Sequence, residues 1–125
     1  MSREIPAPSL PKPVRGDIFN ARLDPVEGSE QAGTRPVIVV SRDSINANSP
    51  VVIVVPVTDA TNVKRLYPSH AFLGQGSGGL KLDSVAKAEQ IRAIRISRFV
   101  AYYGRLDRNA LLQIEDAIKI TLSLR

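Results

Sequence analysis

Three polar side chains of different chemistry lie close together between two apolar segments of this chain. Glu30 and Gln31 stand in the stretch LDPVEGSEQAGT, and Arg35 precedes Pro36 and the apolar run PVIVVS. A guanidinium stays charged and can bind a phosphate through two parallel hydrogen bonds. A nearby carboxylate can accept a proton or orient the guanidinium through an ion pair. The spacing therefore predicts a polar loop between two core strands, with side chains suited to phosphate binding.

Thr58 is a second candidate, because it ends the apolar run VVIVVPVT. A side chain at the end of a barrel strand can reach a ligand at the rim. Threonine at a strand end also commonly caps a turn, so the residue type alone does not separate these two roles.

Composition excludes several kinds of site. The chain has no cysteine and a single histidine, His70, so one chain cannot supply a disulfide, a thiolate metal site or a pair of catalytic histidines. The stretch GQGSGG lacks the lysine and the following helix of a P-loop, and we interpret it as a flexible turn. We expect no metal, no other cofactor and no membrane span.

Charge is distributed unevenly along the 125 residues, whose net charge is +5. Residues 15–60 contain four basic and six acidic side chains, a balance of −2, whereas residues 61–108 contain nine basic and three acidic side chains, a balance of +6. A basic surface favours a polyanion through phosphate contacts. A solvated surface that only maintains solubility is the alternative interpretation.

The apolar runs predict several short strands, which we place at 17–23, 36–41, 51–57, 70–73, 80–86, 90–94 and 100–104. Pro56 should end its strand or lie at an edge, and RDSINANSP should form turns. One helix is expected near the end of the chain, capped by Asp107, with an apolar stripe formed by Leu111, Ile114, Ile118 and Leu122.

These elements predict a mainly β fold with a terminal α-helix, in the form of an SH3-like, partly open β-barrel. The length suits one domain, which we place at residues 14–125. Residues 1–13 contain four prolines and are expected to form a disordered or extended leader.

Three segments together closely resemble the MazF/PemK-type endoribonuclease toxins of bacterial toxin–antitoxin modules. They are RGDIFNARLDPVEGSEQAGTRPVIVVSR at the start, VVPVT in the middle, and DSVAKAEQIRAI later in the chain. The resemblance runs from about Arg15 to the end and implies the CcdB/PemK-type barrel. It also implies a homodimer, to which Leu112 and Leu124 could contribute an apolar contact.

The resemblance implies metal-independent, sequence-specific cleavage of single-stranded RNA, with mRNA as the first candidate. Arg35 and Thr58 occupy the positions of the family's catalytic arginine and threonine. An unperturbed threonine is a poor base and arginine a poor acid, so we expect positioning and charge stabilisation to contribute more than proton transfer. Glu30 is a third catalytic candidate, as a base or as the partner that orients Arg35.

Further candidates for RNA contact are polar and basic side chains. Those suited to base edges or sugars are Ser29, Gln31, Ser84 and Gln90. Those suited to phosphates are Lys64, Arg65, Arg92 and Arg95. For Gln90 and Ser84 a structural hydrogen bond is the alternative, and for each cation a solvated charge is the alternative.

The resemblance further implies a cytoplasmic protein and a cognate antitoxin that lays an acidic, initially disordered segment over the basic groove. Two other functions are open on the same scaffold. One is a non-catalytic, gyrase-binding toxin of the CcdB type, and the other is binding to operator DNA together with the antitoxin.

Overall fold

The computed structural model describes residues 9–23 and 33–125, so the predictions for Ser29, Glu30 and Gln31 lie outside it. The described residues form seven strands and two α-helices. In chain order they are β1 (Asp17–Arg22), β2 (Thr34–Val39), α1 (Asp43–Asn48), β3 (Val51–Asp59), β4 (His70–Leu73), β5 (Ser84–Lys87), β6 (Arg92–Arg95), β7 (Phe99–Arg105) and α2 (Arg108–Leu122).

The strands form one curved antiparallel arrangement in the order β4-β5-β3-β2-β1-β7, with β6 paired to the first half of β3. The two end strands, β4 and β7, are not paired with each other. The predicted mainly β, partly open barrel with a terminal helix is therefore confirmed. No helix in the described part of the chain is long and apolar enough to cross a membrane.

Strand β3 lies at the centre of the sheet and changes partner along its length. Val51 to Val54 pair with β6, and Val57 to Asp59 pair with β5. Pro56 lies between these two ladders, opposite Val37 of β2. The prediction that the strand ends at Pro56 is wrong, because β3 continues to Asp59, whereas the alternative of a local edge agrees with the gap between the β6 and β5 ladders. The strand continues because the proline falls where neither β5 nor β6 is paired with it, so its missing N–H costs no ladder bond there.

Two apolar clusters fill the two faces of the sheet. One contains Phe19, Val37, Val54 and Phe99, with the rings of Phe19 and Phe99 stacked at 4.3 Å between centroids. The other contains Ile18, Ile38, Val57, Leu73 and Ile114. Because side chains alternate along a strand, neighbouring residues of β1, β2 and β3 contribute to opposite clusters.

The end of the glycine-rich segment after β4 packs closely against β7, so the predicted flexible turn is anchored there, whereas an added Cβ at Gly74 or Gly76 would meet nothing within 4 Å. A Cβ atom built on Gly79 would lie 2.2 Å from the carbonyl oxygen of Tyr103 in β7. Gly79 also has φ of +84°, which L side chains rarely adopt. The segment thus requires glycine both for its backbone conformation and for its approach to β7.

Helix α2 confirms the predicted start, because the Asp107 side chain accepts a hydrogen bond from the N–H of Ala110 at 2.8 Å. Ile114 and Ala117 are its buried residues, whereas Leu122 is 48% exposed, so the predicted apolar stripe is not buried to its end. The prediction of turns at RDSINANSP is also corrected, because α1 lies there. Its Asn46 is buried and donates to the carbonyl of Ser41.

Candidate active site

Arg35 and Thr58 lie at the same open end of the ladder between β2 and β3. The last pair of that ladder is Val37 with Pro56, and each candidate stands two residues beyond it. Residues two apart on a strand point to the same face, so Arg35 and Thr58 extend the same face of the sheet. Arg35 is exposed, whereas Thr58 is only 8% exposed. The fold thus brings an accessible guanidinium and a nearly buried hydroxyl to one strand end.

The turn after β3 places an amide next to the Thr58 hydroxyl. Asn62 Nδ2 donates to Thr58 Oγ1 at 3.5 Å, which is long for such a bond. The turn is held by Asp59, whose carboxylate accepts from the N–H and the hydroxyl of Thr61, both at 2.9 Å. Such a weak bond can be exchanged for one to a ligand at little cost.

The Arg35 guanidinium makes no hydrogen bond or ion pair with the residues that the structure describes, whereas its backbone lies opposite Ala21 in the β1–β2 ladder. The predicted Glu30–Arg35 ion pair stays a prediction, because Glu30 lies outside those residues. Ser84 is the first residue of β5 and stands opposite Asp59, and its hydroxyl donates to the carbonyl of Leu82 at 2.8 Å.

The remaining predicted RNA contacts lie on either side of β3. Gln90 ends a 3-10 turn after β5 and is exposed. Arg92 and Arg95 are in β6, opposite Val54 and Val51 respectively. Arg92 is therefore the nearer of the two to the end of β3 that carries Thr58.

A small cleft of about 240 Å³ borders Thr58 on the face opposite to Arg35. Side-chain alternation places Val57 and Asp59 on that face, and Tyr103 packs against the apolar cluster that contains Val57. Its lining residues are Pro36, Val57, Thr58, Asp59, Leu80, Lys81, Leu82, Ser84 and Tyr103. We refer to it as the apolar cleft.

A second concavity, of about 290 Å³, lies on the Thr58 face and has a different character. Val85 of β5 pairs with Thr58 on one side and Phe72 on the other, and Lys87, two residues further, pairs with His70. The lining residues are Asn62, Val63, Lys64, Arg65, Tyr67, His70, Lys87 and Glu89. We refer to it as the basic pocket, since its three cations outnumber one carboxylate.

Among the described residues, no three His, Cys, Asp or Glu side chains are grouped closely enough to hold a metal ion. His70 instead makes two protein contacts. Its Nδ1 accepts from the backbone N–H of Tyr67 at 3.2 Å, and its Nε2 lies 3.3 Å from a carboxylate oxygen of Glu89.

Comparison with known proteins gives this geometry its family context. Residues 14–122 match the family described as PemK-like, MazF-like toxin of type II toxin-antitoxin system. The chain belongs to this family. Endoribonuclease MazF9 of Mycobacterium tuberculosis is 40% identical over 115 residues, which cover 88% of this chain and 96% of that protein. Endoribonuclease MazF of Staphylococcus epidermidis is 37% identical over 110 residues, which cover 88% and 91% respectively.

Solved structures confirm the fold of this MazF-like toxin. An endoribonuclease in complex with its cognate antitoxin, from a mycobacterial species, matches with a TM-score of 0.73 at 20% identity and covers 90% of this chain and 97% of that chain. MazF from Deinococcus radiodurans matches with a TM-score of 0.71 at 23% identity and covers 90% and 97% respectively. The predicted CcdB/PemK-type architecture is thereby confirmed.

Several residues near the toxin's site were not singled out from sequence. Asn62, Tyr67, Lys87 and Glu89 line the basic pocket because of the turn after β3 and the pairing of β5 with both β3 and β4. Burial alone would raise the pKa of the Glu89 carboxyl, but hydrogen bonds from its own backbone N–H, Ser69 and His70 outweigh it and lower the pKa. Glu89 therefore stays ionised at neutral pH and holds His70 in place.

Proposed function

We propose that this toxin is an endoribonuclease that cleaves single-stranded RNA, most readily mRNA, at specific sequences, with Arg35 and Thr58 as its catalytic pair. The observation that carries the proposal is the position of both residues two places beyond the Val37–Pro56 pair, on one face. The 37–40% identity to proteins named endoribonuclease MazF supports the reaction class.

Cleavage through attack by the 2′-hydroxyl makes three chemical demands. That hydroxyl must lose its proton, the phosphorane charge must be stabilised, and the 5′-oxygen must gain a proton as it leaves. Arg35 suits the second demand, because an exposed guanidinium can bind two phosphate oxygens at once. This route needs no metal and leaves a 2′,3′-cyclic phosphate and a 5′-hydroxyl.

Thr58 contributes a hydroxyl whose direction is set by the protein. Asn62 donates to Thr58 Oγ1, which leaves the threonine proton available to donate to a phosphate or sugar oxygen. We propose that Thr58 positions the reacting group, and that Glu30 orients Arg35 or accepts the 2′-hydroxyl proton. In this scheme the protein accelerates cleavage chiefly through orientation and charge.

The RNA path in this proposal runs across the strand ends. The candidate phosphate contacts are Lys64, Arg65, Arg92 and Arg95, and the candidate base or sugar contacts are Ser29, Gln31, Ser84 and Gln90. Lys64 and Arg65 line a pocket on the Thr58 face, which supports their assignment.

The test is cleavage of a long, varied RNA by purified protein in excess EDTA, with Arg35→Ala and the control Arg108→Ala in parallel. Arg108 is an exposed arginine at the start of α2. We expect cuts at a short recurring sequence by the wild type and by Arg108→Ala, and none by Arg35→Ala. Equal cutting by a folded Arg35→Ala protein would refute the proposed catalytic pair.

The principal alternative is a non-catalytic toxin on the same scaffold that binds gyrase. Such a toxin has no need for Arg35 and Thr58 on one face of the sheet, or for the polar loop that contains Ser29, Glu30 and Gln31. Absence of cleavage by a folded wild-type protein over many RNA sequences would favour this alternative.

We further propose the partners and setting that suit such an enzyme. They are a second copy of the chain, a cognate antitoxin with an acidic disordered segment, and operator DNA bound jointly with that antitoxin. A structural relative in complex with its cognate antitoxin supports the second of these. We place the protein in the cytoplasm, with residues 14–125 as the toxin domain and residues 1–13 as a leader outside it.

A further inference from the structure

We infer that the basic pocket is a separate RNA subsite, which holds a nucleotide flanking the scissile phosphate and increases affinity for longer RNAs. The inference rests on the proposed function, since it assigns part of the substrate to residues away from Arg35 and Thr58. Within the pocket, Lys87 and Lys64 would contact the phosphate, and Tyr67 with Arg65 would form the surface against which the base stacks.

The sheet register places this pocket on the same surface as the catalytic pair. Thr58 pairs with Val85, and Lys87 is the next residue of β5 on that face, opposite His70. Neighbouring strands lie about 5 Å apart, and two residues along a strand span about 7 Å. A phosphate at Arg35 and a second group at Lys87 can therefore belong to one short stretch of RNA.

Charge makes an anion the suitable occupant. Lys64, Arg65 and Lys87 line the pocket together with the single carboxylate of Glu89. That carboxylate is engaged by His70 at 3.3 Å, on the side of the pocket formed by the His70 ring. The three cations outnumber this one engaged carboxylate, so the pocket favours a phosphate, which Lys87 and Lys64 can contact.

Tyr67 supplies the surface for a base. Its side chain is among the exposed large hydrophobic groups, at 54% exposure, although a tyrosine ring is usually better buried. The guanidinium carbon of Arg65 lies 6.0 Å from the ring centroid. The bases of single-stranded nucleic acids commonly stack on exposed aromatic rings and on arginine side chains of the proteins that bind them.

His70 fixes the part of the chain that carries this surface. Nδ1 accepts from the Tyr67 N–H, so the ring proton is on Nε2, which donates to Glu89. The His70 side chain is only 5% exposed. Tyr67 is thus anchored through its backbone while its ring stays accessible, which is a suitable arrangement for a preformed binding surface.

The experiment compares two RNAs that share one cleavage sequence, one ending at that sequence and one extended on both sides. A single 2′-deoxy sugar at the scissile position prevents cleavage, and fluorescence anisotropy gives Kd at several salt concentrations. The variants are Lys87→Ala and Tyr67→Leu, and the control is Lys119→Ala in α2, an exposed lysine remote from the pocket in sequence. Circular dichroism verifies that each variant is folded.

We expect the wild type to bind the extended RNA more tightly, and each pocket variant to lose about fivefold or more of that affinity. Binding of the short RNA should be unchanged, and Lys87→Ala should reduce the salt dependence by about one phosphate contact. Unchanged affinity for the extended RNA in both variants, or an equal loss with Lys119→Ala, overturns the subsite while leaving the nuclease proposal intact. A wild type that binds neither RNA overturns both.

Discussion

Asp17 and Arg105 face each other across the β1–β7 ladder with very unequal exposure. The Asp17 side chain is 1% exposed and that of Arg105 is 54% exposed, with 2.8 Å between Asp17 Oδ1 and Arg105 Nε. The hydroxyl of Tyr102 and the N–H of Val14 also donate to this carboxylate. Its hydrogen bond raises the pKa of Arg105, and burial together with Asp17 raises the pKa of Tyr102. The carboxylate therefore joins β7 to the chain that enters β1.

Replacing this carboxylate should destabilise the fold. We expect Asp17→Asn to lower the free energy of unfolding by about 2 kcal/mol, because the buried network loses its negative charge and one of its two acceptor oxygens. Urea denaturation measures the change. Asp116→Asn, on the exposed side of α2, is the control and should stay within about 0.5 kcal/mol of the wild type. A similarly small change in Asp17→Asn would show that the network adds nothing to stability.

The glycine-rich segment before β5 allows backbone strain to be separated from steric exclusion. Gly76 has φ of +94° with nothing within 4 Å of an added Cβ, so Gly76→Ala should cost about 1–2 kcal/mol from strain alone. Gly79→Ala adds the collision with the Tyr103 carbonyl and should cost more, about 3 kcal/mol.

Gly74→Ala is the matched control for this series, because an added Cβ meets nothing and the backbone carries no unfavourable φ. It should be close to neutral. In thermal unfolding, the Tm should be highest for Gly74→Ala, lower for Gly76→Ala and lowest for Gly79→Ala. Equal stability of Gly76→Ala and Gly79→Ala would mean that β7 yields to the extra atom.

Low pH should remove the contribution that the Asp43 carboxylate makes to the stability of the fold. The N–H of Arg15 donates to Asp43 Oδ1 at 2.8 Å, and this bond, followed by the one from Asn46, lowers the pKa of the carboxyl. A lowered pKa stabilises the fold above the unfolded value of about 4, and that stability is lost as pH falls through the folded pKa.

We therefore expect the wild type to be more stable than Asp43→Asn at pH 6, with the gap shrinking below about pH 4. Urea unfolding at pH 6 and pH 3 measures it. The asparagine can still accept from Arg15, so the variant isolates the charge. A constant gap across this range would contradict the linkage.

Thr58 offers a test of the hydroxyl itself. Thr58→Val preserves shape at a nearly buried site and should lower kcat for RNA cleavage by about 100-fold, whereas Thr58→Ser should retain most of it. Single-turnover cleavage rates measure both, and urea unfolding verifies that the valine variant is folded. Near wild-type kcat in Thr58→Val would assign the threonine a structural role only.

Local sequence was sufficient for those parts of the fold that depend on neighbouring residues. β-branched runs predicted β2 and β3, and the Asp107 cap predicted α2. The strand end predicted at Pro56 was wrong because a proline is accepted inside β3 only where neither β5 nor β6 pairs with it. No local sequence pattern shows where those two pairings begin and end. The glycine segment misled in the same way, since its contact with Tyr103 joins residues distant in sequence.

In the candidate site too, some residues could be predicted from the sequence and others could be recognised only in the folded structure. Arg35 and Thr58 were chosen from residue type and motif, and the β2–β3 register then related them to each other. Asn62 needed the folded turn, and Lys87 needed the β3–β5 register, before they could be associated with Thr58. Chemistry can be inferred from residue type, whereas the shape of a pocket depends on strand pairing.

Strand β3 pairs with β6 along its first half and with β5 along its second half, and this central position affects how its amides become exposed to water. Val54 packs in one apolar cluster and Val55 in the other, and both stand opposite residues of β2. Exposing the amides of Val54 and Val55 to water requires both apolar clusters to be disrupted at once. These amide protons should therefore exchange with deuterium only through global unfolding. The proposed catalytic threonine is therefore attached to the segment that opens last, and Thr58 should keep its position until the whole sheet unfolds.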